Sequence, residues 1–100
     1  MDPVHIEHTT DTTHVALEAA LGIADARALH EKLDAAIAAA TPVVMDASRV
    51  ERLDAAVMQV LTGFCRAARE RSLAVTWENP SPSLQQAVRL LGLEAIFEMT

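Results

Sequence analysis

Tyrosine is missing from this chain of 100 residues, and the other aromatics amount to two phenylalanines and one tryptophan. A core with so few rings must be filled by Val, Ile, Leu and Met. The single cysteine, Cys65, excludes an internal disulfide and suits a reducing compartment, which implies the cytoplasm. Three glycines offer little material for a phosphate-cradling loop, and no glycine-rich nucleotide motif occurs. No apolar run approaches the roughly 20 residues of a membrane span, so direct membrane insertion is not expected. The first residues, MDPVHIEHTT, carry no secretion-signal pattern. Cations are scarce too: eight Lys and Arg stand against fourteen Asp and Glu, a net charge of −6. That balance repels phosphate backbones and anionic membranes, so nucleic acid is not an expected partner.

What is present is apolar and rich in alanine, with 51% hydrophobic residues. That suffices for one domain over residues 1–100 with one modest core. Val4–Glu7 reads as a first strand. Thr9–Thr13 is rich in residues that bond their own backbone and reads as a turn. His14–Ala19 alternates and places Val15 and Leu17 on one face of a second strand. Ile23, Ala26, Leu29, Leu33, Ala36, Ile37 and Ala40 recur at three- and four-residue steps, the stripe of an amphipathic helix. Thr41-Pro42 ends it. Val43-Val44-Met45 is a continuous apolar run, as in a parallel strand covered on both faces. Asp46–Arg52 is a polar loop.

A second helix follows from about Asp54 to Glu70, with Leu53, Val57, Val60, Leu61, Phe64 and Ala68 as its stripe. Leu73–Glu78 is β-rich. Ser81-Pro82 caps and opens a third helix, which Gly92 stops. Leu93, Ile96 and Phe97 form a last apolar turn. The order β-β-α-β-α-β-α is that of an α/β domain, a mixed four-stranded sheet with a parallel centre and a leading hairpin.

The same elements carry a resemblance. Val44-Met45-Asp46-Ala47-Ser48-Arg49-Val50 matches the apolar-apolar-Asp-x-Ser-x-Val pattern of the STAS domain (sulfate transporters and anti-sigma factor antagonists). Asp54 matches that family's acid before its second main helix, and NPSPS leads to a short helix ending LLGL. The chain resembles the small, single-domain bacterial type over nearly its whole length. The resemblance implies a non-enzymatic module that binds a protein: a histidine-kinase-like ATPase, a chemosensory protein, or the ABC ATPase of a phospholipid transporter. In switching members a kinase phosphorylates a hydroxyl after the acid, and binding is lost. Here Ala55 and Ala56 stand in those positions, so no phosphorylation site is expected there. Gly22 also replaces an acid of the family near the first helix, and Asp25 sits where a hydroxyl residue would be.

The surface expected to meet the partner is Ser48, Arg49, Glu51, Arg52, Asp54, Ala55, Met58, Gln59 and Thr62. At 100° per residue, Ala55, Met58, Gln59 and Thr62 fall opposite the apolar stripe, and methionine suits adaptable binding surfaces. Asp54 doubles as helix cap, accepting from the N–H of Ala56 or Val57. Ser48 is expected to bond loop backbone. An exposed apolar face here also admits a homodimer. No catalytic residue, cofactor or metal site is expected: no triad or paired-carboxylate motif occurs. His5, His8 and His14 lack ligand spacing. His30 sits beside Glu31, with no nucleophile implied.

Overall fold

Val15 and Leu17 alternate with His14 and Ala16, a pattern that demands a strand with one dry face and one wet face. The computed structural model, which describes residues 4–99, has this strand as β2 (Thr13–Leu17), with Thr13, Val15 and Leu17 buried. Strand β1 (Val4–His8) pairs antiparallel with it, Ile6 opposite Val15. The turn between them closes through Thr9 N–H to Thr12 O (2.9 Å). Strand β4 (Val43–Asp46) pairs parallel with β2, and β6 (Val75–Glu78) pairs parallel with β4. The mixed sheet therefore runs β1-β2-β4-β6.

Burial alternates along all four strands, so the helices lie against one face only. Val4, Val15, Leu17, Val43 and Met45 face the core. The other face carries His5, Glu7, His14, Asp46 and Glu78, all exposed. This corrects the expectation for Val43-Val44-Met45: Val44 is only half-buried, because nothing among the described residues covers that side of the sheet.

Helix α1 (Ile23–Ala38) buries Leu29, Leu33, Ala36 and Ile37. The expected stripe is too long at both ends. Ile23 is 74% exposed. Ala40 has left the helix, in the left-handed region at φ 56°, and is exposed. Helix α2 (Ala55–Glu70) packs beside α1 and begins at its cap, Asp54. Helix α3 (Pro82–Leu90) starts with Ser81 Oγ accepting from Leu84 N–H (3.1 Å). Its end is a Schellman turn: Gly92 takes φ 68° and Leu93 N–H bonds Val88 O (2.9 Å). Helix α4 (Glu94–Phe97) is the last apolar turn, and it stacks Phe97 on Trp77 with ring centres 5.4 Å apart.

Two elements were not legible as strands. β3 (Ala20–Leu21) and β5 (Arg52–Leu53) form a parallel ribbon of two residues each. Glu51 N–H and Arg52 N–H both bond Ala19 O (2.7 and 3.0 Å), and Asp54 N–H bonds Leu21 O (3.3 Å). The ribbon ties the entry of α1 to the entry of α2.

Candidate functional site

The loop before α2 is held from both sides. Ala47 and Val50 are buried anchors, and Val50 N–H closes a turn on Ala47 O (3.3 Å). Between them Ser48 and Arg49 are exposed. The Ser48 hydroxyl and backbone N–H both donate to Asp46 Oδ1 (2.7 and 3.0 Å). The hydroxyl thus bonds a carboxylate, and not the loop backbone as expected. Those two bonds, the hydroxyl's first, hold the Asp46 carboxyl below its ordinary pKa. Arg49 reaches Glu18 (3.8 Å), which also meets His5 (3.0 Å).

At the head of α2, Asp54 Oδ1 accepts from Val57 N–H (3.2 Å), one of the two partners expected of it. Around it, Glu51, Arg52, Ala55 and Gln59 are exposed, as are Ser48 and Arg49 of the loop; Glu51 and Arg52 line one groove with Asp54, and Gln59 lines another between α1 and α2. Ala56 is half-buried toward α1. Thr62 is half-buried and its hydroxyl donates to Met58 O (2.7 Å), the back-bond of a helical threonine.

Met58 does not belong to this surface. It is 5% exposed and sits in the core. The buried stripe is Val57, Met58, Leu61, Phe64, Cys65 and Ala68, with Val60 left at the edge. The helix is rotated by some tens of degrees from the phase expected. Leu53 lies half-buried in the ribbon outside the helix, and Met58 and Cys65 are buried where Val60 is left at the edge.

The entries of α1 and α2 meet. A Cβ built on Gly22 would lie 3.8 Å from Asp54 Oδ2 and 4.0 Å from Asp25 Oδ2. Asp25 Oδ2 accepts from Gly22 N–H (2.9 Å). A carboxylate therefore occupies this corner although residue 22 is glycine. An open groove of about 660 Å³ adjoins it, lined by Gly22, Glu51, Arg52 and Asp54 on one side and by Ser83, Gln86 and Ala87 of α3 on the other. Sequence reasoning missed α3 as part of this surface.

Elsewhere several ionisable side chains make local contacts. His8 Nδ1 bonds Thr13 Oγ1 (3.1 Å). His30 pairs with Asp34 (3.5 Å), while Glu31 pairs with Arg27 (3.5 Å). Among the described residues, no three His, Cys, Asp or Glu side chains converge as metal ligands. None of the described helices is long and apolar enough to cross a membrane. Cys65 is buried, and desolvation, with the Glu98 charge second, pushes its thiol from 9.0 to about 12.

A family model described as Mlab, STAS domain, matches residues 4–98. Among solved structures, the chain is similar to the anti-sigma factor antagonist SpoIIAA in its unphosphorylated form. The TM-score is 0.78 at 20% identity, covering 92% of this chain and 83% of that one. It is also similar to an anti-sigma factor antagonist from Mycobacterium paratuberculosis, with TM-score 0.79 and 21% identity over 96% of this chain and 82% of that one. A third match, to a protein named Mglu, has TM-score 0.69 and 21% identity; it covers 80% of this chain and 20% of that one. The chain thus spans about one fifth of that larger protein. None of the curated proteins matches the chain.

Proposed function

Because the chain belongs to the STAS family, we propose that it is a non-enzymatic protein-interaction module resembling an anti-sigma-factor antagonist or chemosensory regulator, and that its binding is not switched by phosphate. The observation that carries this reading is Ala55. It is exposed at the first position of α2, next to the capping Asp54, where the switching members of the family present a hydroxyl. A helix entry is the natural seat of an anion, and a phosphate there would bring about two negative charges into a packed contact. Ala55 offers no atom to carry it. The partner meets Ser48, Arg49, Glu51, Arg52, Asp54, Ala55 and Gln59 in the cytoplasm, and binding follows expression or competition.

The missing hydroxyl also favours a second reading: a cytoplasmic subunit that braces the ATPase of an ABC-type phospholipid transporter, a role that needs no switch. Co-purification separates the two. A stoichiometric ABC ATPase selects the subunit; a histidine-kinase-like ATPase or chemosensory protein selects the regulator. To test the unswitched state, the complex is incubated with ATP and the cognate kinase and the chain is mapped by mass spectrometry. The expected result is no phosphate on residues 48–62 and an intact complex. Phosphate on Ser48 or Thr62 with release of the partner overturns the reading.

A further inference from the structure

The sheet has two edges, β1 and β6, and they differ in what guards them. On β1, Lys32 Nζ donates to Val4 O (2.7 Å), a lysine set against an edge strand, as natural sheets use to resist pairing. On β6 no lysine, proline or bulge interrupts Val75–Glu78. Val43 N–H bonds Ala74 O (2.8 Å). The alternation of a parallel ladder then turns Thr76 and Glu78 toward β4 and points the N–H and C=O of Val75 and Trp77 outward. Among the described residues, nothing bonds those outward groups. An open depression of about 400 Å³ adjoins Val75, Thr76 and Trp77, so the space beside the strand is free within the chain. Such a row of backbone groups is a template for another strand.

The strand's own sequence fits its copy. With two copies antiparallel about a two-fold axis at Thr76, Val75 of each faces Trp77 of the other, and every outward group finds a partner. Neighbouring registers do not achieve this. Centred on Val75, the pairing sets Trp77 against Leu73, whose N–H is committed to Ala68 O (2.8 Å). Centred on Trp77, it sets Val75 against Asn79, which has left the strand at φ 47°. In the register centred on Thr76, a β-branched side chain meets an indole on the core side and threonine meets threonine on the open face, both favourable cross-strand pairs. Glu78 falls opposite Ala74, so no like charges oppose. The chain enters the strand from Arg71 and leaves through Glu78, so an antiparallel copy turns the acidic end of each strand toward the basic end of the other. Val75 and Trp77, each half-buried in the single chain, cover one another.

We propose that two copies of this chain pair β6 against β6, antiparallel and centred on Thr76, and so join their sheets into one. The proposal stands apart from the docking surface at the head of α2.

Thr76→Cys tests the register. In this pairing the two introduced thiols stand opposite each other in a non-hydrogen-bonded pair, with Cα atoms about 4.5 Å apart, within disulfide reach. Mild oxidation of the folded chain is expected to link Thr76→Cys into a dimer and to leave Glu78→Cys, whose thiol faces Ala74, unlinked. Native Cys65 is buried and takes no part. No link in Thr76→Cys, or equal linking of the two variants, overturns the proposal. Sedimentation of the native chain from micromolar to millimolar concentration should show a reversible monomer–dimer equilibrium. Thr76→Lys opposes two ammonium groups at the axis and should weaken that equilibrium at least tenfold with the melting temperature unchanged, since Thr76 is exposed. A native chain that stays monomeric at millimolar concentration contradicts the proposal, as does a Thr76→Lys chain that dimerises like the native one. In the native host, a photo-crosslinking side chain at Thr76 is expected to join the chain to itself. Capture of a different protein alone would give the edge to that protein and overturn the proposal.

Discussion

Asp54 Oδ2 lies 3.8 Å from the point where a Cβ on Gly22 would stand, so the cap of α2 looks directly onto the entry of α1. Two jobs coincide in that carboxylate: it closes the free N–H of Val57 and it charges the groove mouth. Two substitutions separate them. Asp54→Ala should cost about 1 kcal/mol of stability, the usual effect of a lost cap. Asp54→Asn keeps a capping oxygen and should melt within a few degrees of the native chain, while partner affinity falls with the charge. Chemical denaturation and titration calorimetry on both variants give the result. A native-like affinity for Asp54→Asn would show that only the cap matters.

Met58 is a core residue, and its substitution tests the helix phase. Met58→Arg places an unpaired charge among Val57, Leu61 and Cys65, and the chain should fail to fold. Met58→Leu conserves volume and should change stability by less than about 1.5 kcal/mol. Circular dichroism through a thermal ramp distinguishes these. A folded Met58→Arg variant would return Met58 to the surface.

Cys65 makes stability fall in alkali. Its thiol is raised from 9.0 in the ordinary case to about 12 in the fold. Above pH 9 the unfolded chain has released this proton and the folded chain has not. The linked stability is therefore complete below pH 9 and is lost as pH rises toward 12. Cys65→Ala should flatten that alkaline loss, although the cavity it leaves lowers stability at all pH. Urea midpoints at pH 8 and 10 for both chains measure the difference. An equal alkaline loss in Cys65→Ala would assign it to other groups.

The sheet was legible because β2 obeys the period of two through Val15 and Leu17 and β4 is a short run of large apolar residues, although one face of β4 is open. The helix starts were legible because Asp54 and Ser81 cap in the ordinary way. The β3–β5 ribbon was not, since two residues carry no periodicity and the pairing is read only when Ala20 and Arg52 meet in space. The phase of α2 was misjudged for a related reason. Leu53 and Val60 drew the expected stripe to one side, but Leu53 belongs to the ribbon and Val60 sits at the edge, while Met58 and Cys65 are buried. Arg49, Glu51, Arg52, Ala55 and Gln59 are exposed, as residues of the loop and outer helix face beside the cap are expected to be. The α3 wall was hidden because Gln86 and Ala87 carry no chemical signature of their own.

Ala55→Glu is the most direct test of the docking site. A carboxylate at the first position of α2 suits the helix dipole, so the fold should be kept or slightly stabilised. It also sets a negative charge where the family resemblance places the switch. The measurement is the affinity of the co-purified partner for the native chain and for Ala55→Glu, by calorimetry at one salt concentration. The account predicts at least a tenfold loss of affinity at an unchanged or higher melting temperature. Equal affinity in the two chains would contradict it and move the interface away from the start of α2.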